Sequence, residues 1–124
     1  MTGVQTCAFR SRIVNLASIA AFAPVPYLAV YAATKSFVLS FSEALTEEVH
    51  GTSVSVTAVC PGLTNSEMAD AALERAPDLA PWRPWLFAEP SEVARAAFEG
   101  CMKREALVVP GTANVFYQIG RAHV

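Results

Sequence analysis

The sequence predicts an α/β fold, a small parallel sheet of three strands joined by crossover helices, and three observations carry that prediction. Short runs rich in Ile and Val alternate along the chain with longer stretches suited to helix. The first two runs are joined through one such helix, the arrangement of a right-handed crossover unit. Apolar residues make up 53% of the 124 positions and charged residues 16%, the balance of a single packed domain rather than a disordered chain.

Taken in order, Arg12 to Ser18 reads as a buried parallel strand. Ser18 closes it, at the sheet edge where open α/β folds bind ligands, unless it simply caps the next turn. Ala20 to Leu28 contains Pro24 and Pro26 and cannot be helical throughout, so it reads as a loop. From about Ala29 to His50 the residues suit a helix, with Gly51 as its stop. The first half of that helix is apolar or small on most sides, which predicts burial on more than one face.

Ser53 to Val59 alternates and is β-branched, the pattern of the next strand, and the crossover brings Ser18 and Pro61 to one sheet edge. Pro61 and Gly62 alone read equally as a generic turn. Asn65 to Arg75 reads as a short helix, and Ala76 to Glu89, with Trp82, Trp85, Leu86 and Phe87, as an aromatic loop. Ser91 is a natural N-cap for a helix from Glu92 to about Met102, and Ala106 to Val109 reads as a last strand before Pro110 and Gly111.

The stretch from Ser18 to Lys35 concentrates the chemistry. Tyr31 and Lys35 stand at i and i+4, so a helix places them on one face. A free phenol ionises near pH ~10, but a cation about 4 Å from its oxygen, at an effective dielectric of about 20, favours phenolate by roughly 4 kcal/mol. Such a phenol is fit for general acid–base work, and a serine hydroxyl nearby can hold a substrate oxygen. The set suits interconversion of an alcohol and a carbonyl. Spacing alone leaves another reading open, a half-buried helix aromatic beside a snorkelling surface lysine.

The run RIVNLASIAAFAPVPYLAVYAATKSFVLSFSEAL, followed by VSVTAVCPGLTNSEM, resembles the short-chain dehydrogenase/reductase family. The resemblance implies a Rossmann-like doubly wound parallel sheet, here partial, and an NAD or NADP cofactor acting on a small-molecule secondary alcohol or ketone. It also implies that Ser18 orients the substrate oxygen and that Tyr31 is the proton donor or acceptor. Lys35 then favours the tyrosine phenolate and binds the nicotinamide ribose. Pro61, Gly62, Leu63 and Thr64 match the family's loop beside the nicotinamide. The aromatic segment matches a variable lid, where Trp85 and Phe87 point to an apolar substrate unless they simply pack the loop down, and the long helix matches one that pairs subunits, which implies a homo-oligomer. The alternative is a non-catalytic α/β module that keeps the scaffold and its pairing helix.

The family's TGxxxGxG turn, its ribose-reading acidic residue, its NNAG segment and its further catalytic Asn have no counterpart; Asn15 lies on the serine's own strand. The chain therefore reads as the C-terminal, catalytic half of such a domain over residues 9–118. Residues 1–8 (MTGVQTCA) and 119–124 (IGRAHV) resemble translated sequencing adapters and read as non-native tails. The remaining features exclude other classes. A net charge of −2 without basic clusters argues against nucleic acid. Cys7, Cys60 and Cys101 lack paired or metal spacing and read as reduced thiols of a cytoplasmic protein, and His50 and His123 stand apart, so no metal site is expected. The longest weakly polar run is broken by two prolines, which argues against a membrane span.

Overall fold

The β-branched runs pair as expected into one parallel sheet. The computed structural model describes residues 10–75, 77–82 and 87–111. The expectations placed on the two tails, on Cys7 and His123, and on Trp85, Leu86 and the Trp82 side chain lie outside the described residues. Arg12–Leu16 (β1), Ser55–Val59 (β2) and Leu107–Val108 (β3) stand in the order β1-β2-β3, with Asn15 opposite Ala58 and Val59 opposite Val108. Ala29–Glu48 forms helix α1, Glu67–Arg75 helix α2 and Pro90–Met102 helix α3.

Central position explains the burial of β2, all five of whose residues are buried. On one face α1 brings Leu39 against Ala17, Ala21, Ala58 and Cys60, with Phe22, Val38, Leu107 and Val109 packed around them. Burying a side chain such as Leu39 stabilises the fold by about 1.5 to 3 kcal/mol. On the other face α3 lies so close to β3 that Gly100 approaches Val108 directly; a Cβ there would collide with Val108 Cγ2.

β1 departs from its expectation as a buried strand. Ile13, Val14 and Leu16 are all exposed. Its odd-numbered backbone groups face β2, as in the bonds from Ser55 N to Ser11 O and from Ala17 N to Val59 O. The even-numbered groups face the open side, where the described residues place no strand. An apolar run reads the same in a central strand and an edge strand, which is why the sequence pattern missed this.

Two further differences have local causes. The loop after Ser18 begins with a 3-10 turn over Ile19–Phe22, which ends before Pro24. The N-cap of α3 is Glu89 rather than Ser91: Pro90 takes the first helical position, Glu89 accepts from the backbone three residues on, and the Glu92 carboxylate accepts from the Glu89 N–H at 3.3 Å. Proline's fixed φ and this reciprocal box start the helix earlier than the serine does.

Candidate active site

The site is built where α1 begins. Val25, Pro26, Tyr27 and Leu28 form a turn closed by a 3.1 Å bond from Leu28 N to Val25 O, and Ala32 N then bonds Leu28 O at 2.9 Å as the helix takes over. Tyr27 has φ +67°. Proline second and positive φ third is the pattern of a type II turn, whose third place favours glycine. Holding a bulky residue there costs about 1 to 2 kcal/mol.

Tyr31 follows in the first turn of α1 and Lys35 one turn later, both half-buried. The Lys35 ammonium lies 5.8 Å from the Tyr31 ring centroid, within cation–π range. It also donates a 3.0 Å hydrogen bond to the carbonyl of Leu16 on the open edge of β1. Further polar ties hold the helix to β1 and to the 3-10 turn after it. Asn15 Nδ2 donates to Ser42 Oγ at 2.9 Å, Ser42 Oγ in turn donates to Val38 O of its own helix at 2.7 Å, and Ser36 Oγ donates to Ala21 O in the turn at 2.8 Å. Ser42 is fully buried, so its tie to Asn15 works in a dry environment, where losing a partner is expensive.

Ser18 is buried just past the end of β1 in extended backbone, and its hydroxyl accepts from Ala20 N at 3.1 Å. The capping reading of this serine is therefore observed. Ile19 N bonds Pro61 O at 3.0 Å, which joins the serine's segment to the loop after β2. In that loop Pro61, Gly62 and Thr64 are half-buried and Leu63 is exposed. Thr64 Oγ1 donates to Gly62 O at 3.1 Å, Thr64 bridges to Ala88, and Asn65 reaches the Glu89 carboxylate through its side-chain amide. These contacts pin the loop to the segment leading into α3.

Cys60 lies between these parts and is fully buried. Burial pushes its thiol up to about 11; the Ser18 backbone hydrogen bond opposes that, the Glu43 charge adds to it and the Lys35 charge again opposes it. The thiol stays protonated and is a poor nucleophile. Among the described residues no group of three His, Cys, Asp or Glu side chains could hold a metal ion, and no helix is long and apolar enough to cross a membrane.

The structure thus brings Tyr31, Lys35 and the β1 end together, and joins the Ser18 segment to the Pro61–Thr64 loop. Sequence reading missed two participants. The Leu16 carbonyl is a main-chain group that no residue type announces. Tyr27 had a signal, a residue following Pro26 just before a helix, where glycine would be the easy choice.

Comparisons with known proteins agree with this architecture. The family model described as short chain dehydrogenase matches residues 7–77. A putative ketoacyl reductase of Streptomyces coelicolor is 40% identical over 68 residues, which is 55% of this chain and 26% of that protein. A solved actinorhodin polyketide ketoreductase with NADPH is 29% identical with a TM-score of 0.68, over 83% of this chain and 46% of that one. A short-chain dehydrogenase/reductase from Burkholderia phymatum in complex with NAD has a TM-score of 0.73 over 90% of this chain and 46% of its own; at 23% identity the likeness is one of fold. The chain spans about a quarter of the length of the curated relatives it matches, 25% and 23% in two further cases.

Proposed function

The chain belongs to the short-chain dehydrogenase family, and from that premise we propose that it is the catalytic half of an NAD(P)-dependent oxidoreductase interconverting a secondary alcohol and a ketone. The observation that carries this reading is the Lys35 ammonium set over the Tyr31 ring while hydrogen-bonded to the strand that leads into Ser18. In the reduction direction Tyr31 passes its proton to the substrate oxygen, and Lys35 stabilises the phenolate left behind. Ser18 holds that oxygen by donating its hydroxyl proton, which its bond to Ala20 N leaves free because the serine is the acceptor there.

The residues present fit one end of a nicotinamide dinucleotide. An ammonium has three N–H donors and Lys35 gives one to Leu16 O, so donors remain for ribose hydroxyls. Pro61, Gly62, Leu63 and Thr64 would lie against the nicotinamide. When bound, that cofactor supplies or accepts the hydride. No glycine-rich turn for the pyrophosphate is encoded, so the polypeptide alone is expected to bind dinucleotide weakly and to be inactive.

Within this reading residues 9–118 are the family domain's C-terminal half, and residues 1–8 and 119–124 are non-native tails. The full-length protein is a cytoplasmic homo-oligomer paired through α1, whose Val30, Phe37 and Phe41 are exposed, with the Phe37 and Phe41 rings stacked 5.9 Å apart. The same exposed face is what the non-catalytic reading rests on. Turnover of a panel of ketones by the full-length protein with NADH and with NADPH tests the proposal; reduction with one of them supports it, and no reduction with either refutes it.

A further inference from the structure

The loop after β2 opens with Pro61 and Gly62, residues that break regular structure, and α2 does not begin until Glu67. Its shape is therefore set in large part by ties to other segments. At its start Ile19 N donates to Pro61 O at 3.0 Å. At its end a distant stretch takes over: Ala88 N donates to Leu63 O and Asn65 N donates to Ala88 O, both at 2.9 Å, a lone parallel bridge between Thr64 and Ala88. Residues 66–87 leave the loop and return to it at this point. One bridge specifies its register weakly, because main-chain groups are alike at every residue.

Side chains supply what the bridge lacks. Asn65 Nδ2 donates to Glu89 Oε1, and the Glu89 carboxylate also accepts from the backbone of Glu92 as the cap of α3, while the Glu92 carboxylate accepts from Glu89 N at 3.3 Å. The helix thus fixes the carboxylate, and the asparagine docks the loop on it. Capping α3 needs only the bond to Glu92; the bond to Asn65 serves the loop. Glu89 is exposed and Asn65 half-buried, so their pairing contributes little to overall stability. We infer that Asn65 and Glu89 are positioning residues, which set where Gly62, Leu63 and Thr64 lie and so act on the dinucleotide through that loop. The inference rests on the reading of Pro61 to Thr64 as the nicotinamide loop and adds to it what holds the loop in place.

The test exchanges the two functional groups in the full-length protein. Asn65→Asp sets a second carboxylate against Glu89 and breaks the tie. Combining it with Glu89→Gln restores the tie in reverse, since a glutamine amide caps the helix with its oxygen and donates to the aspartate with its nitrogen. In Asn65→Asp the KM for the dinucleotide is expected to rise about tenfold, with kcat for ketone reduction within about twofold of the parent, the mark of lost uniform binding. Without dinucleotide, the Asn65 and Ala88 amides of that variant exchange with heavy water about tenfold faster than in the parent. The double variant returns both quantities to within about threefold of the parent. An unchanged dinucleotide KM in Asn65→Asp, a fall in kcat in its place, unchanged amide exchange, or a double variant no better than the single one overturns the assignment. A parent that reduces no ketone with either dinucleotide shows instead that the nicotinamide-loop reading has failed, and this inference with it.

Discussion

Lys35 faces two ways, with its ammonium over one ring and on one main-chain carbonyl, and that carbonyl is supplied by the last residue of the strand that leads into the candidate substrate serine. A single flexible side chain thereby ties the helix start to the sheet edge. The i, i+4 spacing made the Tyr31–Lys35 proximity legible in the sequence, while the Leu16 carbonyl was not, because backbone acceptors carry no residue signature. Cys60 offers a test of how dry this junction is. A thiol raised to about 11 from its ordinary 9.0 holds its proton more tightly folded than unfolded. Its contribution to stability is therefore whole below pH 9 and is lost as pH rises towards 11. Urea unfolding of the parent and Cys60→Ala at pH 8 and pH 11 should show the parent losing about 2 kcal/mol more over that interval. Equal losses would mean that the thiol is not shielded. Iodoacetamide at pH 8 should likewise leave Cys60 unmodified until the chain is unfolded.

At the scale of elements, β1, α1 and β2 were legible because each has a run long enough for its period to show; α1 ends at Glu48 with Val49 as its C-cap, two residues before the expected stop at Gly51, whose φ of +81° belongs to the turn that follows. The start of α3 was misread because a proline at the first helical position and a Glu–Glu box outrank a serine one residue on. The open edge of β1 could not be read at all, since exposure depends on what lies beside a strand and not on the strand itself. Packing between elements gives a second prediction. Gly100→Ala drives a methyl into Val108 and should destabilise by about 1 to 3 kcal/mol, and adding Val108→Ala should recover part of that loss. Ser42→Ala removes the partner of Asn15 and should cost about 1 to 3 kcal/mol, most of it absent when Asn15→Leu is combined with it. Chemical denaturation of the single and double variants checks both; additive losses in either pair would contradict the contacts described.

For the whole molecule, the sequence carried the fold class and, by resemblance, a set of candidate site residues, and the structure supplies the ties among the segments that bear them. The exposed aromatic pair on α1 predicts an oligomer that depends on it. Phe37→Glu with Phe41→Glu should convert the full-length protein to monomer in sedimentation, with its secondary structure intact, and an unchanged assembly would remove α1 as the pairing surface. The central claim is that Tyr31 moves the proton while Lys35 and Ser18 hold its surroundings. Its most direct measurement is kcat/KM for ketone reduction by full-length Tyr31→Phe, with circular dichroism to show an unchanged fold. The account predicts a loss of about 10² to 10⁴-fold; a Phe variant within about threefold of the parent would contradict it.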